Sequence, residues 1–331
     1  MPGPVGKAAV LHAHGGTDQF AIESAFQFSE PSAGEVLVKV AAAGVNPVDV
    51  YVRTGAYASK SFPLILGGDL SGHVVAVGAG VEAFKAGDAV FGVSSTYTSQ
   101  TPELQGTYAA YCVLRAEWLA HAPKSVPLAH AAAPPLVALT ALQALEKAAP
   151  AAGPRILING ASGGVGPVAV QLAKVLHGLH VTALCSAARA DWVKSLGADA
   201  VVDYGLGLEA SLAAFGGGGD EAKFDIILDV VGGEMLDYAA AHVLKAGGIV
   251  THVMNRGSGA SKLVAAKGDG KRFASTLIKP DGTQCKLIAE LMDAGKLSVK
   301  VAKEYRLSEV GAAQDECIAG HAGGKIILLL E

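Results

Sequence analysis

Between Arg155 and Val175 the chain reads RILINGASGGVGPVAVQLAKV. Ile156 to Asn159 form a short, mostly apolar run suited to a strand buried on both faces, and Val168 to Val175 carry apolar residues at helical spacing. Gly160, Gly163, Gly164 and Gly166 lie where the strand must turn sharply into the helix. Such a turn leaves backbone N–H groups free at the helix start, where the aligned peptide dipoles also favour an anion. One glycine permits the turn, one lets a phosphate approach the backbone and one allows helix and strand to touch, so the expected guest is a dinucleotide pyrophosphate. A glycine pattern in a chain with 42 glycines is weak by itself. The apolar strand before it, the helix after it and a second strand one βα unit later strengthen it.

That second strand, His180 to Cys185, bears on the choice of dinucleotide. The sequence HVTALCSAARADWV has no acid until Asp191, whereas an Asp or Glu at the strand end would take the ribose hydroxyls and repel a 2′-phosphate. Ser186 offers a hydroxyl and Arg189 a planar fork of donors. NADPH is the expected cofactor. The competing reading of Arg189 is a solvated charge at a helix start.

The elements that must position these residues follow from the rest of the chain. With 331 residues and 51% hydrophobic content, it is long enough for two domains. The 26 Lys plus Arg against 30 Asp plus Glu give a net charge of −4, which argues against nucleic acid as the main partner. Cys112, Cys185, Cys285 and Cys317 are scattered, so free thiols in a reducing, cytoplasmic setting are expected and a zinc or disulfide framework is not. Charge, Gly or Pro interrupts every apolar stretch before membrane-spanning length, and no cleaved targeting segment is recognisable at the amino terminus.

Val5 to Leu11, Gly34 to Ala42, Gly67 to Val81, Asp88 to Val93 and Ala109 to Val113 read as short strands separated by glycine turns, which predicts a compact β-rich first domain. Asn46 to Arg53 reads as a short helix with Pro47 in its first turn. Ala129 to Leu145 contains a helix, and Ala148 to Pro154 a linker. From Ile156 the order strand, helix, strand continues through Ala200 to Val202, Phe224 to Val230 and Gly248 to Val253, which predicts a parallel sheet covered on both faces. Gly216 to Gly219 reads as a flexible loop, and Asn255 to Asp269 as a loop that either covers a cleft or crosses the surface. Lys286 to Ala294 and Ser308 to Ile318 read as helices. Lys325 to Leu330 is a last strand able to return to the first domain's sheet.

The chain resembles the zinc-independent quinone oxidoreductases of the medium-chain dehydrogenase/reductase superfamily. The resemblance runs over nearly the full length. It rests on Asn46-Pro47-Val48-Asp49 with Tyr51, Arg53 and Gly55, on Gly68-Asp69 with Ser71-Gly72, and on Leu139-Thr140-Ala141. The nucleotide signature Ala161-Ser162-Gly163-Gly164-Val165-Gly166 is followed by Leu196-Gly197-Ala198-Asp199, Asp203-Tyr204 and Gly324-Lys325. Ala190 and Gly323 depart from the family's usual Asn and basic residue. The resemblance implies an α/β chain with a discontinuous GroES-like domain (residues 1–128 and 283–331) and a Rossmann domain (residues 129–282). It implies NADPH as cofactor, enones, alkenals or quinones as substrates, and a homodimer.

Carried over residue by residue, Gly160, Ser162, Gly163, Gly164, Val165 and Gly166 line the pyrophosphate, and Ser186, Arg189 and Tyr204 surround the adenosine phosphate. Thr140, Val253 and Lys325 are further cofactor positions, and Asn46 and Tyr51 are the matches nearest nicotinamide and substrate. Position 69 or 70 stands where zinc enzymes carry a glutamate, and residues 94–106 lack the thiols of a structural zinc lobe, so no metal is expected. Asp69 and His73 then read as hydrogen-bonding structural residues. In the expected reaction Asn46 holds the ribose or the substrate carbonyl, and Tyr51 assists the developing enolate. The plainer alternatives are a helix cap for Asn46 and a cleft wall for Tyr51. Quinone reduction is the nearest enzymatic alternative; a nucleotide-binding structural or regulatory protein with little activity is the other.

Overall fold

The protein is described by a computed structural model covering residues 3–57, 62–94, 106–149, 153–207, 210–211, 213, 222–253, 260–266, 268–320 and 322–330. The expected loop at Gly216 to Gly219 lies outside the described residues, as do residues 95–105 of the cysteine-free stretch, 150–152 of the linker and 255–259 and 267 of the second expected loop. Two compact units divide the chain: Met1–Leu139 with Lys279–Glu331, and Thr140–Ile278. The expected boundaries at 128 and 282 thus stand beside observed divisions at 139 and 278.

The elements run β1 (Val5–Leu11), β2 (Phe20–Gln27), β3 (Glu35–Val45), α1 (Pro47–Arg53), β4 (Leu64–Ile65), β5 (Asp69–Val77), β6 (Ala89–Val93), β7 (Tyr111–Arg115), β8 (Leu119–His121) and α2 (Pro135–Ala148). Then follow β9 (Arg155–Asn159), α3 (Gly166–His177), β10 (His180–Cys185), α4 (Ala190–Ser195), β11 (Ala200–Asp203), β12 (Phe224–Asp229), α5 (Glu234–His242), β13 (Leu244–His252), α6 (Ala260–Ala266) and β14 (Arg272–Ser275). The last are α7 (Gly282–Asp293), β15 (Val301–Arg306), α8 (Val310–Ala319) and β16 (Lys325–Leu329). Helix α6 falls within the expected loop Asn255 to Asp269. The correction has a packing cause, since Val264 is buried in the core of the second unit.

The first unit holds a small sheet ordered β2-β1-β4 and a larger one ordered β15-β16-β3-β5-β6-β8, with β7 also on β3. Strand β16 pairs antiparallel with β3, Ile326 opposite Val45, so the end of the chain completes the sheet that its beginning starts. Apolar residues of β1, β3, β4 and β16 fill one core with Tyr108, Leu307 and Val310. At Gly72 of β5 the backbone of β3 comes so close that a Cβ would lie 2.1 Å from the Lys39 carbonyl oxygen.

In the second unit six parallel strands are ordered β11-β10-β9-β12-β13-β14. Counted from β9 this is the doubly wound order 3-2-1-4-5-6, whose chain reverses direction across the sheet on either side of β9. Ile156, Leu157 and Ile158 are buried on both faces, as a central parallel strand requires. The carboxyl ends of all six strands lie on one edge, the edge where open sheets of this class take their ligands.

Gly72→Ala should lower unfolding stability by about 3 kcal/mol, because the added methyl meets rigid backbone rather than a movable side chain. The urea midpoint reports it; an unchanged midpoint would mean that β3 and β5 separate freely.

Candidate active site

The turn between β9 and α3 is closed by contact between glycines. Gly160 has φ of +80°, and a Cβ there would stand 2.6 Å from Val230 Cγ2 and 2.8 Å from Val231 Cγ2. At Gly166 a Cβ would lie 2.1 Å from the Gly160 carbonyl oxygen. Gly163 donates its N–H to that same oxygen at 3.1 Å, and a Cβ on it would meet protein only at 3.4 Å. Gly160 and Gly166 are therefore required by the chain itself, whereas Gly163 and Gly164 are exposed and leave the outer side of the turn bare. Ser162 and Val165 flank them, half-buried. Val165 occupies the N-cap without any side-chain cap bond; Pro167 has no N–H, and the Val168 and Ala169 N–H groups donate back to the Val165 carbonyl at 3.1 and 3.0 Å, so any donors for an outside group come from the glycine turn before them. A pyrophosphate fits this cradle.

At the end of β10, Ser186 begins a short 3-10 turn, Ala187–Arg189, and both Ser186 and Arg189 are half-buried. Tyr204 follows β11 and is 51% exposed, available to a ligand rather than to the core. A carboxylate does stand nearby: Asp203, opposite Cys185 in the β10–β11 register. Its Oδ1 accepts from Gly205 N–H at 2.9 Å and from Ala187 N–H at 3.1 Å, which turns it toward the backbone of the loop.

Between these two regions and β14, three strand ends carry polar side chains that the motif pattern did not single out. Asn159 of β9, Asp229 of β12 and His252 of β13 stand in one register row. Asp229 is fully buried; Asn159 Nδ2 donates to its Oδ1, while Gly232 N–H at 2.8 Å and His252 Nδ1 at 2.7 Å reach its Oδ2. The Val253 N–H donates to the Asp229 carbonyl at 3.0 Å. Thr140, in α2, is buried.

In the first unit the Asn46 to Arg53 motif lies inside a buried polar cluster. Asn46 is the N-cap residue of α1, and its backbone N–H donates to Asp49 Oδ2 at 2.7 Å. Its side chain is spent elsewhere: Nδ2 donates to Asp69 Oδ2 at 2.8 Å, and Oδ1 accepts from Lys325 Nζ. Lys325 also donates to Val45 O at 3.0 Å and stands 3.6 Å from Asp69. Asp69 completes its shell with Leu136 N–H at 2.6 Å, and His73 Nδ1 meets Gly87 O at 3.3 Å, so both behave as hydrogen-bonding structural residues. Tyr108 donates its hydroxyl proton to Asp49 Oδ2 at 2.7 Å. Arg53 donates to Gln314 Oε1 and Gly15 O, both at 2.7 Å. Tyr51 lies on the same short helix and is half-buried.

Burial pushes the Asp49 carboxyl up to about 7, against the pull of the Tyr108 and Asn46 hydrogen bonds, with Asp69 adding to the rise and Lys325 opposing it. Burial also raises Asp69, opposed first by Lys325. The Tyr108 phenol is raised well above its ordinary value by burial and then by Asp49. The structure thus brings Asn46 and Lys325 together and sets Tyr51 on the helix that Asn46 begins. It gathers the glycines, Ser186, Arg189, Tyr204 and Val253 along one edge of the second unit's sheet. Asp49, Asp229 and His252 went unassigned in the sequence because isolated acids and histidines carry no spacing signal. Among the described residues no three His, Cys, Asp or Glu side chains are grouped to hold a metal ion.

Two family profiles match the chain: the alcohol dehydrogenase GroES-like domain over residues 32–124 and the zinc-binding dehydrogenase over residues 196–328. The mitochondrial NAD(P)H oxidoreductase RTN4IP1 of Mus musculus is 35% identical over 89% of this chain and 81% of its own. The chloroplastic NADPH-dependent alkenal/one oxidoreductase of Arabidopsis thaliana is 32% identical over 97% of this chain and 79% of its own. Among solved structures, the quinone oxidoreductase from Coxiella burnetii superposes with a TM-score of 0.86 at 27% identity, covering 98% of this chain and 99% of that one.

The Asp49 environment has a signature in stability. A carboxyl raised on folding contributes fully below its ordinary value of 3.8, and that contribution is lost as pH rises through about 7. Asp49→Asn keeps an acceptor for Asn46 and Tyr108 but does not titrate. The variant should gain on the parent by roughly 3 kcal/mol between about pH 5 and pH 8, measured by denaturant unfolding. A constant difference across that range would show that Asp49 is ionised throughout.

Proposed function

This chain belongs to the quinone-oxidoreductase-like family of the medium-chain dehydrogenase/reductase superfamily, and from that premise we propose that it uses NADPH to reduce the activated double bond of enones and alkenals. The observation that carries the reading is the bare glycine turn at the α3 N-terminus, flanked by Ser186 and Arg189 with no acid ending β10. NADPH, when bound, supplies the hydride. The protein's share is to bind, orient and exclude water.

Gly160 to Gly166 hold the pyrophosphate, Thr140 and Val253 stand on the cofactor side, and Arg189, Ser186 and Tyr204 receive the adenosine phosphate. Asn46 is only 1% exposed and both ends of its amide are engaged, which supports a positioning role toward α1 with one Nδ2–H left over. Lys325, buried behind it, acts through Asn46 rather than on the cofactor directly. Tyr51 has the accessible surface and is the group we assign to the substrate side, where its hydroxyl donates a hydrogen bond to the oxygen that gains charge. Protonation of the neighbouring carbon then needs only Tyr51 or solvent.

Reduction of quinones needs still less from the protein, since solvent can supply the protons, and the likeness to the Coxiella burnetii quinone oxidoreductase gives weight to that second reading. A homodimer in the cytoplasm is proposed on the family resemblance. No helix among the described residues is long and apolar enough to cross a membrane.

Arg189→Ala should weaken NADPH binding about thirtyfold while changing NADH binding little, because it removes a charge-assisted bond to the extra phosphate alone. Equal losses for both cofactors, read by fluorescence titration, would take the discrimination away from Arg189. Following NADPH oxidation with a panel of enones, alkenals and quinones should give turnover with the enones and alkenals. Efficient turnover of quinones with every enone untouched would overturn the substrate assignment.

A further inference from the structure

The three residues read as receiving the adenosine phosphate stand on two separate loops, Ser186 and Arg189 after β10 and Tyr204 after β11. Loops that follow neighbouring strands keep no fixed spacing unless a bond joins them. Parallel pairing of β10 with β11 sets Asp203 opposite Cys185, so the carboxylate that β10 lacks at its own end stands one strand away. Its Oδ1 takes the Ala187 N–H of the first loop at 3.1 Å and the Gly205 N–H of the second at 2.9 Å. One oxygen thus closes both turns. Gly205 leaves room for it, since a Cβ there would stand 3.1 Å from Oδ1 and 3.3 Å from Oδ2. Asp203 is itself anchored, because it caps the Tyr204–Leu206 turn and its carbonyl oxygen accepts from the hydroxyl of buried Ser211. Among the described residues, the bond from Ala187 N–H to Asp203 is the hydrogen bond that links the two loops.

We propose that Asp203 is a positioning residue that holds the Ser186–Arg189 turn against the Tyr204 turn and so sets the preference for NADPH over NADH. The inference rests on the NADPH reading above and adds to it the group that orders the phosphate end of the site. Arg189 has a long side chain, and its planar fork gains most from a phosphate when its backbone is already in place, because less freedom is then lost on binding. A carboxylate close to a second anion also works against it, and Arg189 is the cation of the turn that offsets this. The other charges on the following helix, Asp191 and Lys194 of α4, are one of each sign. Positioning and repulsion act in opposite directions on NADPH. Asparagine separates them, since it keeps a side-chain oxygen to accept from Ala187 and Gly205 and carries no charge.

The test is fluorescence titration of NADPH and NADH into the intact parent protein and its Asp203→Ala, Asp203→Asn and Arg189→Ala variants, with Asp203→Ala also made in the Arg189→Ala background. Asp203→Ala should lower the preference for NADPH about fivefold, with the loss confined to NADPH. Asp203→Asn should hold that preference at or above the parent's. In the Arg189→Ala background the added Asp203→Ala change should move it by less than about twofold, because the group it positions is gone. Equal losses for the two cofactors in Asp203→Ala would put the carboxylate on their common ribose, and an unchanged preference would show that the turn holds without it; either overturns the proposal. So does a loss in Asp203→Asn as large as that in Asp203→Ala. A parent protein that binds neither cofactor, or binds both alike, would instead refute the NADPH reading on which the proposal stands.

Discussion

A side chain on residue 166 would drive its Cβ to 2.1 Å from the carbonyl oxygen of Gly160, and the geometry of the whole strand-turn-helix depends on that contact staying empty. Because it is empty, α3 can begin immediately behind β9, with no side chain capping its start. The close approach of Val230 and Val231 on the other side of Gly160 ties the turn to the end of β12. The glycine turn, the central strand and its neighbour are thus one rigid construction, and the polar row Asn159, Asp229 and His252 is set along its edge as a consequence.

The first unit solves a different problem. Asn46, Asp49, Asp69, Arg53, Gln314 and Lys325 are all buried, and charges removed from water are costly unless each is paired. Asp69 meets this by sharing Asn46 and Lys325 and by capturing the Leu136 N–H. Asp49 meets it less completely, since its Oδ1 is buried without a partner, and holding a proton is its way of lowering the cost. The cluster joins α1 to β16 and β5, segments far apart in sequence, so the start of α1 and the Tyr51 it carries are placed by the end of the chain.

Much of this was legible beforehand. The strands Val5–Leu11 and His180–Cys185 stand at the expected bounds, and the return of Lys325–Leu329 to the first sheet follows from its apolar run. Strand β2, with half of its residues exposed and none buried, and β15, reading VAKEYR at a sheet edge, have no continuous apolar signal to betray them. The glycine turn was readable because a steric requirement leaves a trace at fixed spacing. The Asp229–His252 pair was not, because its members are 23 residues apart and meet only when β12 and β13 pair in register. Asn46 stands out in the sequence as a special position, but whether its amide faces a ligand or a buried lysine depends on partners 23 and 279 residues away.

The account stands on a dinucleotide seated across the carboxyl edge of the second unit's sheet. Amide hydrogen exchange with and without saturating NADPH tests that most directly, because it reads the backbone donors themselves. The account predicts slowed exchange concentrated in residues 160–166, with a second protected stretch at 186–189. Unchanged exchange in the glycine turn, at a cofactor concentration that protects another part of the chain, would contradict it.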